Sequence, residues 1–439
     1  MAAFLVATAA GCARRGDGGS RAGVTRAPRV AVGCPATGAG ALGDGTTHGE
    51  SVRGSARWTA AGSPHRAPFG VHVERDAELV IEPCATVLVG EGGAVTVHRG
   101  ATLRAEGASD RPVRFARLVA AGAWRGLAWE PTASGRSILA HVVVAGAGAA
   151  QDRGEVPASL RIAAASGPRL DTVAVEDGEG WGAALLGEGR FGAPSGGLTV
   201  RGDRGAGPLL VEDVGAVGDL PSLTVEGAAP RDVSLACRSR TLRRSAIWSS
   251  LPDGVRYRVR RAMHLVVEGA AAPVLTLAPG VRIAFEDGAE LDVGFGAPGG
   301  LVAAGTALHP VVFEGADDAR WIGVHLGPAL DGARSHLDHL RIEHAGAESD
   351  TVLPGCDVPG GHAGQAMLTL HGVVPPELLR GVAFVDGPPA GYAVVVGGDL
   401  GAPPRPFGPA ADFTRSGVQS ALRPPLIRGA CPEGAAVPR

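Results

Sequence analysis

The chain has 439 residues, with 41 basic and 44 acidic side chains and a formal net charge of −3. That balance carries no basic excess with which to meet polyphosphate, so no nucleic-acid partner is expected. Although 69 glycines and 33 prolines bring the composition close to that of disordered chains, 45% hydrophobic residues supply a core, and with aromatics at 4% it must be built from Val, Leu, Ile and Ala.

An apolar run from Met1 ends in Ala9-Ala10-Gly11-Cys12 and turns polar at once through Arg14, Arg15 and Asp17. It resembles a bacterial lipoprotein signal, in which a cysteine behind small residues is lipidated and becomes the mature N-terminus. The resemblance implies a signal over residues 1–12, lipidation at Cys12, export, and a place at the outer membrane or cell surface, otherwise in the periplasm. No later stretch reaches the roughly 18 uninterrupted apolar residues of a spanning helix, so membrane contact is expected through the lipid alone. Residues 13–54, rich in Gly and Arg, read as a flexible linker.

The 6 cysteines are Cys12, Cys34, Cys84, Cys237, Cys356 and Cys431. With Cys12 lipidated an odd number remains, and spacing does not choose among the pairings; Cys356 with Cys431 would staple the C-terminal end. None forms a CxxC pair or has zinc-finger spacing, and no cofactor is expected.

Beyond the linker the chain repeats itself. Leu79-Val-Ile-Glu-Pro83 returns as Leu275-Thr-Leu-Ala-Pro279, Leu103-Arg-Ala-Glu-Gly107 as Leu301-Val-Ala-Ala-Gly305, and Arg111-Pro-Val-Arg-Phe115 as His309-Pro-Val-Val-Phe313. Trp124-Arg-Gly126 returns as Trp321-Ile-Gly323, and Ser137, Leu139 and His141 as Ser335, Leu337 and His339. A spacing held near 197 residues across so many positions is duplication. The two halves are 55–240 and 241–430. Within each, short apolar runs recur every roughly 8–12 residues and close on Gly, Pro or Asp-Gly, the pattern of an all-β chain. Val281, Ile283 and Phe285 would face one way, Arg282 and Ala284 the other. No segment holds an apolar 3.6 period long enough for a helix, and no propeller-blade signature is present.

Corners of only two or three residues, as between Leu-Thr-Leu-Ala-Pro279 and Val281-Arg-Ile-Ala-Phe285, suit coils rather than hairpins. With His309-Pro-Val-Val-Phe313, Arg320-Trp-Ile-Gly-Val324 and Leu340-Arg-Ile-Glu-His-Ala-Gly346, this order looks like the right-handed parallel β-helix repeats of bacterial surface proteins in the pectin-lyase-like superfamily. The resemblance spans about residues 55–400. It implies an all-β, right-handed parallel β-helix solenoid built from two duplicated halves. Its members include polysaccharide lyases, hydrolases and adhesins, so the site has to be argued from residues.

Arginines crowd the junction of the halves. Alternating with Tyr257 and Val259, Arg256, Arg258 and Arg260 fall on one wet strand face, where guanidinium forks could grip an acidic polysaccharide or envelope glycan; an ordinary solvated face is the plainer reading. His336 and Asp338 share a strand face and, with His339, could hold a metal, yet the first half keeps only His141 of this set, which suits a coil corner better. A hydrolase needs paired carboxylates; Asp317-Asp318 and Gly361-His362-Ala363 are the nearest approach, and a solvated loop explains them equally. Trp58, Trp124, Trp248 and Trp321 recur between the halves, as packing anchors would.

The expected function is that of an exported, lipid-anchored envelope or surface protein with a non-catalytic binding or structural role, toward a glycan or a surface partner. The alternative is a polysaccharide lyase or glycoside hydrolase acting on an acidic polysaccharide. An enzyme would show carboxylates and basic groups converging in one groove; a scaffold would show dispersed charge.

Overall fold

The computed structural model describes residue 34 and residues 45–397, apart from 121, 151–153, 203–204, 228–230, 348–364, 372–374, 376–377 and 390. Three short strands make a coil. Val274–Leu277, Arg282–Phe285 and Glu290–Val293 pair in parallel with Gly300–Ala304, Val311–Gly315 and Gly323–Leu326, their counterparts one coil on. Leu275 lies on Leu301, Ile283 on Phe313 and Leu291 on Val324, and all six are fully buried. The molecule is therefore an all-β parallel β-helix solenoid of two duplicated halves, with its core inside the coils.

The alternation read at residues 281–285 is present: Val281, Ile283 and Phe285 are buried and Arg282 is exposed. Ala284 departs from it. Although it points outward, its methyl lies in the rung between Arg258 and Glu314, whose long side chains shelter it.

The corners repeat as well. His141 and His339 both adopt left-handed backbone, with φ of 47° and 46°. Opposite each is a glycine whose replacement would force a clash: a Cβ on Gly107 would meet the His141 carbonyl at 2.6 Å, and one on Gly305 the His339 carbonyl at 2.5 Å. The paired tryptophans anchor the turns from inside. Trp124 Nε1 donates to the Ala145 carbonyl at 3.0 Å, and Trp321 Nε1 to the Glu343 carbonyl at 2.8 Å, so burial leaves neither indole N–H unpaired.

The halves do not stack like on like. Among the described residues one 13-stranded sheet runs the length of the solenoid. In the first half it is made of Ala94–Val97, Gly126–Trp129 and their neighbours. The duplicates of those two strands, Glu290–Val293 and Gly323–Leu326, lie instead in a separate 6-stranded sheet. At the junction Val233–Ser239 pairs with Tyr257–Val259, a strand equivalent to His65–Ala67 of the first half's 11-stranded sheet. The second half is thus shifted by one face. As a result the 11-stranded sheet stops at Ser222–Glu226, and the new sheets begin at Thr241–Leu242 and Ala246–Trp248.

The stack starts at Thr46–Thr47 and Ser51–Val52, inside the stretch read as linker. Cys34 forms a disulfide with Cys84 across a sequence separation of 50, tying that stretch to the first coils. Cys12, Cys356, Cys431 and His362 lie outside the described residues.

Removing a fully buried aromatic from a coil should cost far more than removing an exposed one. Trp321 stacks on Phe285 with ring centroids 4.0 Å apart, so Trp321→Ala should lose about 3–5 kcal/mol in urea unfolding. Phe69, which is 75% exposed, should lose no more than about 0.5 kcal/mol on replacement by alanine. Equal effects would contradict this packing.

Candidate functional site

The arginine row lies on the outward side of Tyr257–Val259, as the alternation requires, but the donors of Arg256 and Arg258 are already engaged. Arg256 reaches Asp232 through Nε and Glu314 through Nη1, both at 3.0 Å. Arg258 meets Glu286 at 2.7 Å, Asp232 at 3.0 Å and Asp317 at 2.5 Å. Arg282 also pairs with Glu314, and Arg260 approaches Glu286 at 3.6 Å. Burial by itself would raise the Glu286 carboxyl, but Arg258, the Arg261 N–H and Arg260 outweigh it and hold the group below its ordinary range. Arg258 lowers Asp317 in the same way, with Arg256 adding to it. Arg256 and Arg258, each satisfying two or three carboxylates of their own chain, offer few donors to a glycan, while Arg260 is half exposed, with its one carboxylate approach among the described residues at 3.6 Å. The acidic Asp317, read as half of a hydrolase pair, is a member of this ladder.

The metal reading of His336, Asp338 and His339 fares differently from its strand-face logic. His336 Nε2 is 3.9 Å from Asp338 Oδ2, so the shared face is real. Asp338, however, gives both oxygens to Arg380, at 2.6 and 2.7 Å. His339 turns the corner, its N–H donating to the Arg380 carbonyl at 2.8 Å. These three do not converge on a common point.

Where the sheets break at the junction a cleft of ≈ 1130 Å³ opens. Arg243, Arg244, Thr241, Ser245 and Ile247 line one wall, and Arg190 with Glu188 the other. Arg190 is engaged by Asp213 at 2.8 Å and Asp219 at 3.0 Å. Arg243 and Arg244 are exposed and form no ion pair among the described residues. Ile247, also in the lining, is 63% exposed. Free guanidinium groups, hydroxyls, carboxylates and an apolar side chain together suit a polyhydroxylated ligand better than a purely anionic one.

A second cluster went unread in the sequence. His264, Glu290 and Asp292 bring donor atoms within 4.8 Å of one another on the outward face of the 6-stranded sheet. His325 joins from the next coil, its Nδ1 3.7 Å from Asp292 Oδ1. Burial, and then the charge of Asp292, push the Glu290 carboxyl up, while Asp292 raises His264 against the effect of burial. Burial holds His325 below its ordinary value. The only local sequence signal was Glu290-Leu-Asp292, two carboxylates at strand spacing; the histidines that meet them are a coil away on either side.

Comparison with protein-family models, with curated proteins and with solved structures finds no match to this chain.

The arginine ladder gives the molecule an acid limb. Because Glu286 and Asp317 are held down in the folded state, their pairing stabilises above the unfolded carboxylate pKa and is lost as pH falls through the depressed folded values. The melting temperature should therefore drop below about pH 4. Arg258→Ala should cost about 2 kcal/mol at pH 7, between the ranges for exposed and buried pairs, and should flatten that drop. A melting curve with an unchanged acid limb in the variant would contradict the assignment.

Proposed function

We propose that the protein is an exported, lipid-anchored component of the bacterial cell envelope, of the pectin-lyase-like type, whose role is non-catalytic glycan binding in the junction cleft. The observation that carries this reading is the pair Arg243 and Arg244: exposed, unpaired among the described residues, and placed where the face shift opens the solenoid. Export is supported by Ala9-Ala10-Gly11-Cys12 at the N-terminus and by the Cys34–Cys84 disulfide, a bond that persists in oxidising compartments. Among the described residues no helix is long and apolar enough to cross a membrane, which leaves the lipid on Cys12 as the anchor in this reading.

The non-catalytic part rests on the disposition of charge. Within the cleft Asp213 and Asp219 both pair with Arg190, which leaves Glu188 as the lining carboxylate without an ion pair among the described residues; the carboxylates nearest the arginine row bind arginines of the same chain, and Glu290, beside Asp292, is wholly buried beyond reach of a glycosidic bond. A glycosidase needs two carboxyl groups flanking the scissile bond, one of them open to water.

The test uses the full-length Cys12→Ser protein with a panel of acidic and neutral polysaccharides, following binding together with the ultraviolet signal of unsaturated ends and the release of reducing ends. Binding without cleavage is expected, weakened about tenfold by Arg243→Ala with Arg244→Ala, the loss of one charge-assisted contact or more. Arg256→Ala with Arg258→Ala should lower the melting temperature and leave binding nearly intact. Cleavage of any substrate would transfer the protein to the enzymes, and binding indifferent to Arg243 and Arg244 would remove the cleft from the account.

A further inference from the structure

The cluster on the 6-stranded sheet lies outside the lining of the junction cleft, and its chemistry points elsewhere. Glu290 and Asp292 stand two residues apart on Glu290–Val293 and so share its outward face, while Leu291 and Val293 fill the core. His264 comes from His264–Val267, where it is in register with Glu290. His325 comes from Gly323–Leu326, where it is in register with Asp292. Three successive coils therefore deliver two imidazoles and two carboxylates to one place.

Glu290, Asp292 and His325 are buried, with His264 half-buried at the rim, and the buried polar atoms are short of partners. The Glu290 side chain is 0% exposed, and neither of its oxygens accepts a hydrogen bond, although His264 Nδ1 lies against Oε1. His264 Nδ1 is 3.6 Å from Asp292 Oδ2. His325, at 2% exposure, directs Nδ1 toward Asp292 Oδ1, and neither atom has a hydrogen-bond partner. Phe295 packs over this side, its ring 6.4 Å from that of His325 and 5.2 Å from that of His371. The outward carboxylates of the arginine ladder are met by arginine; among the described residues no arginine forms an ion pair with Glu290 or Asp292, which face His264 and His325. Two adjacent buried carboxylates whose nearest cationic partner is the single imidazole of His264 are costly to hold ionised together, and a divalent cation would relieve that cost.

The first half shows that the coil itself does not require them. At the equivalent positions it carries Gly70, Ala94, Thr96 and Ala128, in the same parallel register. Small residues there build the same turn of solenoid.

We infer that His264, Glu290, Asp292 and His325 form a binding site for one divalent cation of the zinc type. Two nitrogen and two oxygen donors match the preference of zinc for tetrahedral imidazole and carboxylate ligation, whereas calcium and magnesium ask for six or more oxygens. Two carboxylates with two neutral imidazoles carry a charge of about −2, which a divalent ion cancels. Donor atoms held about 2.0–2.2 Å from zinc lie within about 4 Å of each other; those of His264, Glu290 and Asp292 lie within 4.8 Å, and His325 meets the group through Asp292 at 3.7 Å. Because the ligands come from consecutive coils, the ion is a cross-link. It joins three rungs of the second half, as the Cys34–Cys84 disulfide fastens the first coils.

The inference stands apart from the glycan reading, and zinc itself is the probe. Full-length Cys12→Ser protein is stripped with a chelator, dialysed against zinc, desalted, and assayed for retained metal and for melting temperature. One zinc per chain and a higher melting temperature in its presence are expected, since a ligand that binds only the folded state stabilises it. Cobalt in the same site should give the intense visible absorption of four-coordinate ligation. Glu290→Gln and His325→Gln should each weaken zinc binding tenfold or more; Glu290→Gln should also melt, without metal, at or above the wild-type temperature, because a buried charge is gone. Asp338→Asn should leave zinc retention unchanged. Should one of the two ligand variants fail to fold, the other decides. The inference is overturned if the wild type retains no zinc, or if a folded Glu290→Gln or His325→Gln retains as much as the wild type, which would place the metal at cysteines or other histidines.

Discussion

Coil-to-coil register is the constraint on which everything else in this molecule depends. Each strand hydrogen-bonds in parallel to the strand one coil before and one coil after, about 4.8 Å away, so its side chains are stacked into columns. Leu291, Val324 and Leu368 form one such column inside the solenoid. A slip of one residue would turn that column outward and bring Glu290 or Asp292 into the core. Apolar matching therefore sets the register, and the outward columns inherit it.

Inheritance has a cost when the outward residue is charged, because stacking places like beside like. The 13-stranded sheet answers by setting arginines among the carboxylates of neighbouring coils: Arg256 and Arg258 interlock with Asp232 of the coil before and with Glu286, Glu314 and Asp317 of the coils after. The same ladder bridges the seam where the two halves meet, so its electrostatic role is to hold the spine continuous while the other sheets are interrupted. Shifting the second half by one face keeps a single sheet running through. It also leaves the neighbouring sheets without a partner strand, and the cleft with Arg243, Arg244 and Ile247 is the direct geometric result.

Much of this was legible in the sequence because it depends on local spacing. Period-two alternation put Arg256, Arg258 and Arg260 outward, and the echo of Trp124 in Trp321 and of His141 in His339 marked equivalent corners that the structure places as such. What lay hidden depends on which residues stand one coil apart, and that distance varies with corner length. Asp338 faces the same way as His336, as its spacing says, but Arg380, a coil further on, takes both of its oxygens. The carboxylates that occupy the arginine row come from other coils. So do the two histidines beside Glu290 and Asp292. The partner of Cys34 and the face shift at Tyr257 were equally out of reach, since neither leaves a mark in residue spacing.

Comparison of the halves separates what the fold demands from what it permits. Inward positions are kept in kind: Trp124 and Trp321, Leu103 and Leu301, Phe115 and Phe313 fill equal volumes of equal coils. Their loss would open cavities that a thin core has no means of closing. Outward positions have diverged, and not at random in chemistry. Gly70, Ala94, Thr96 and Ala128 show that small residues satisfy the coil at the sites where the second half carries His264, Glu290, Asp292 and His325. A scaffold that sets its register from within leaves its outer columns free to acquire charge, and where Glu290, Asp292 and His325 are buried beside the half-buried His264 a bound divalent ion would balance the charge that no arginine meets.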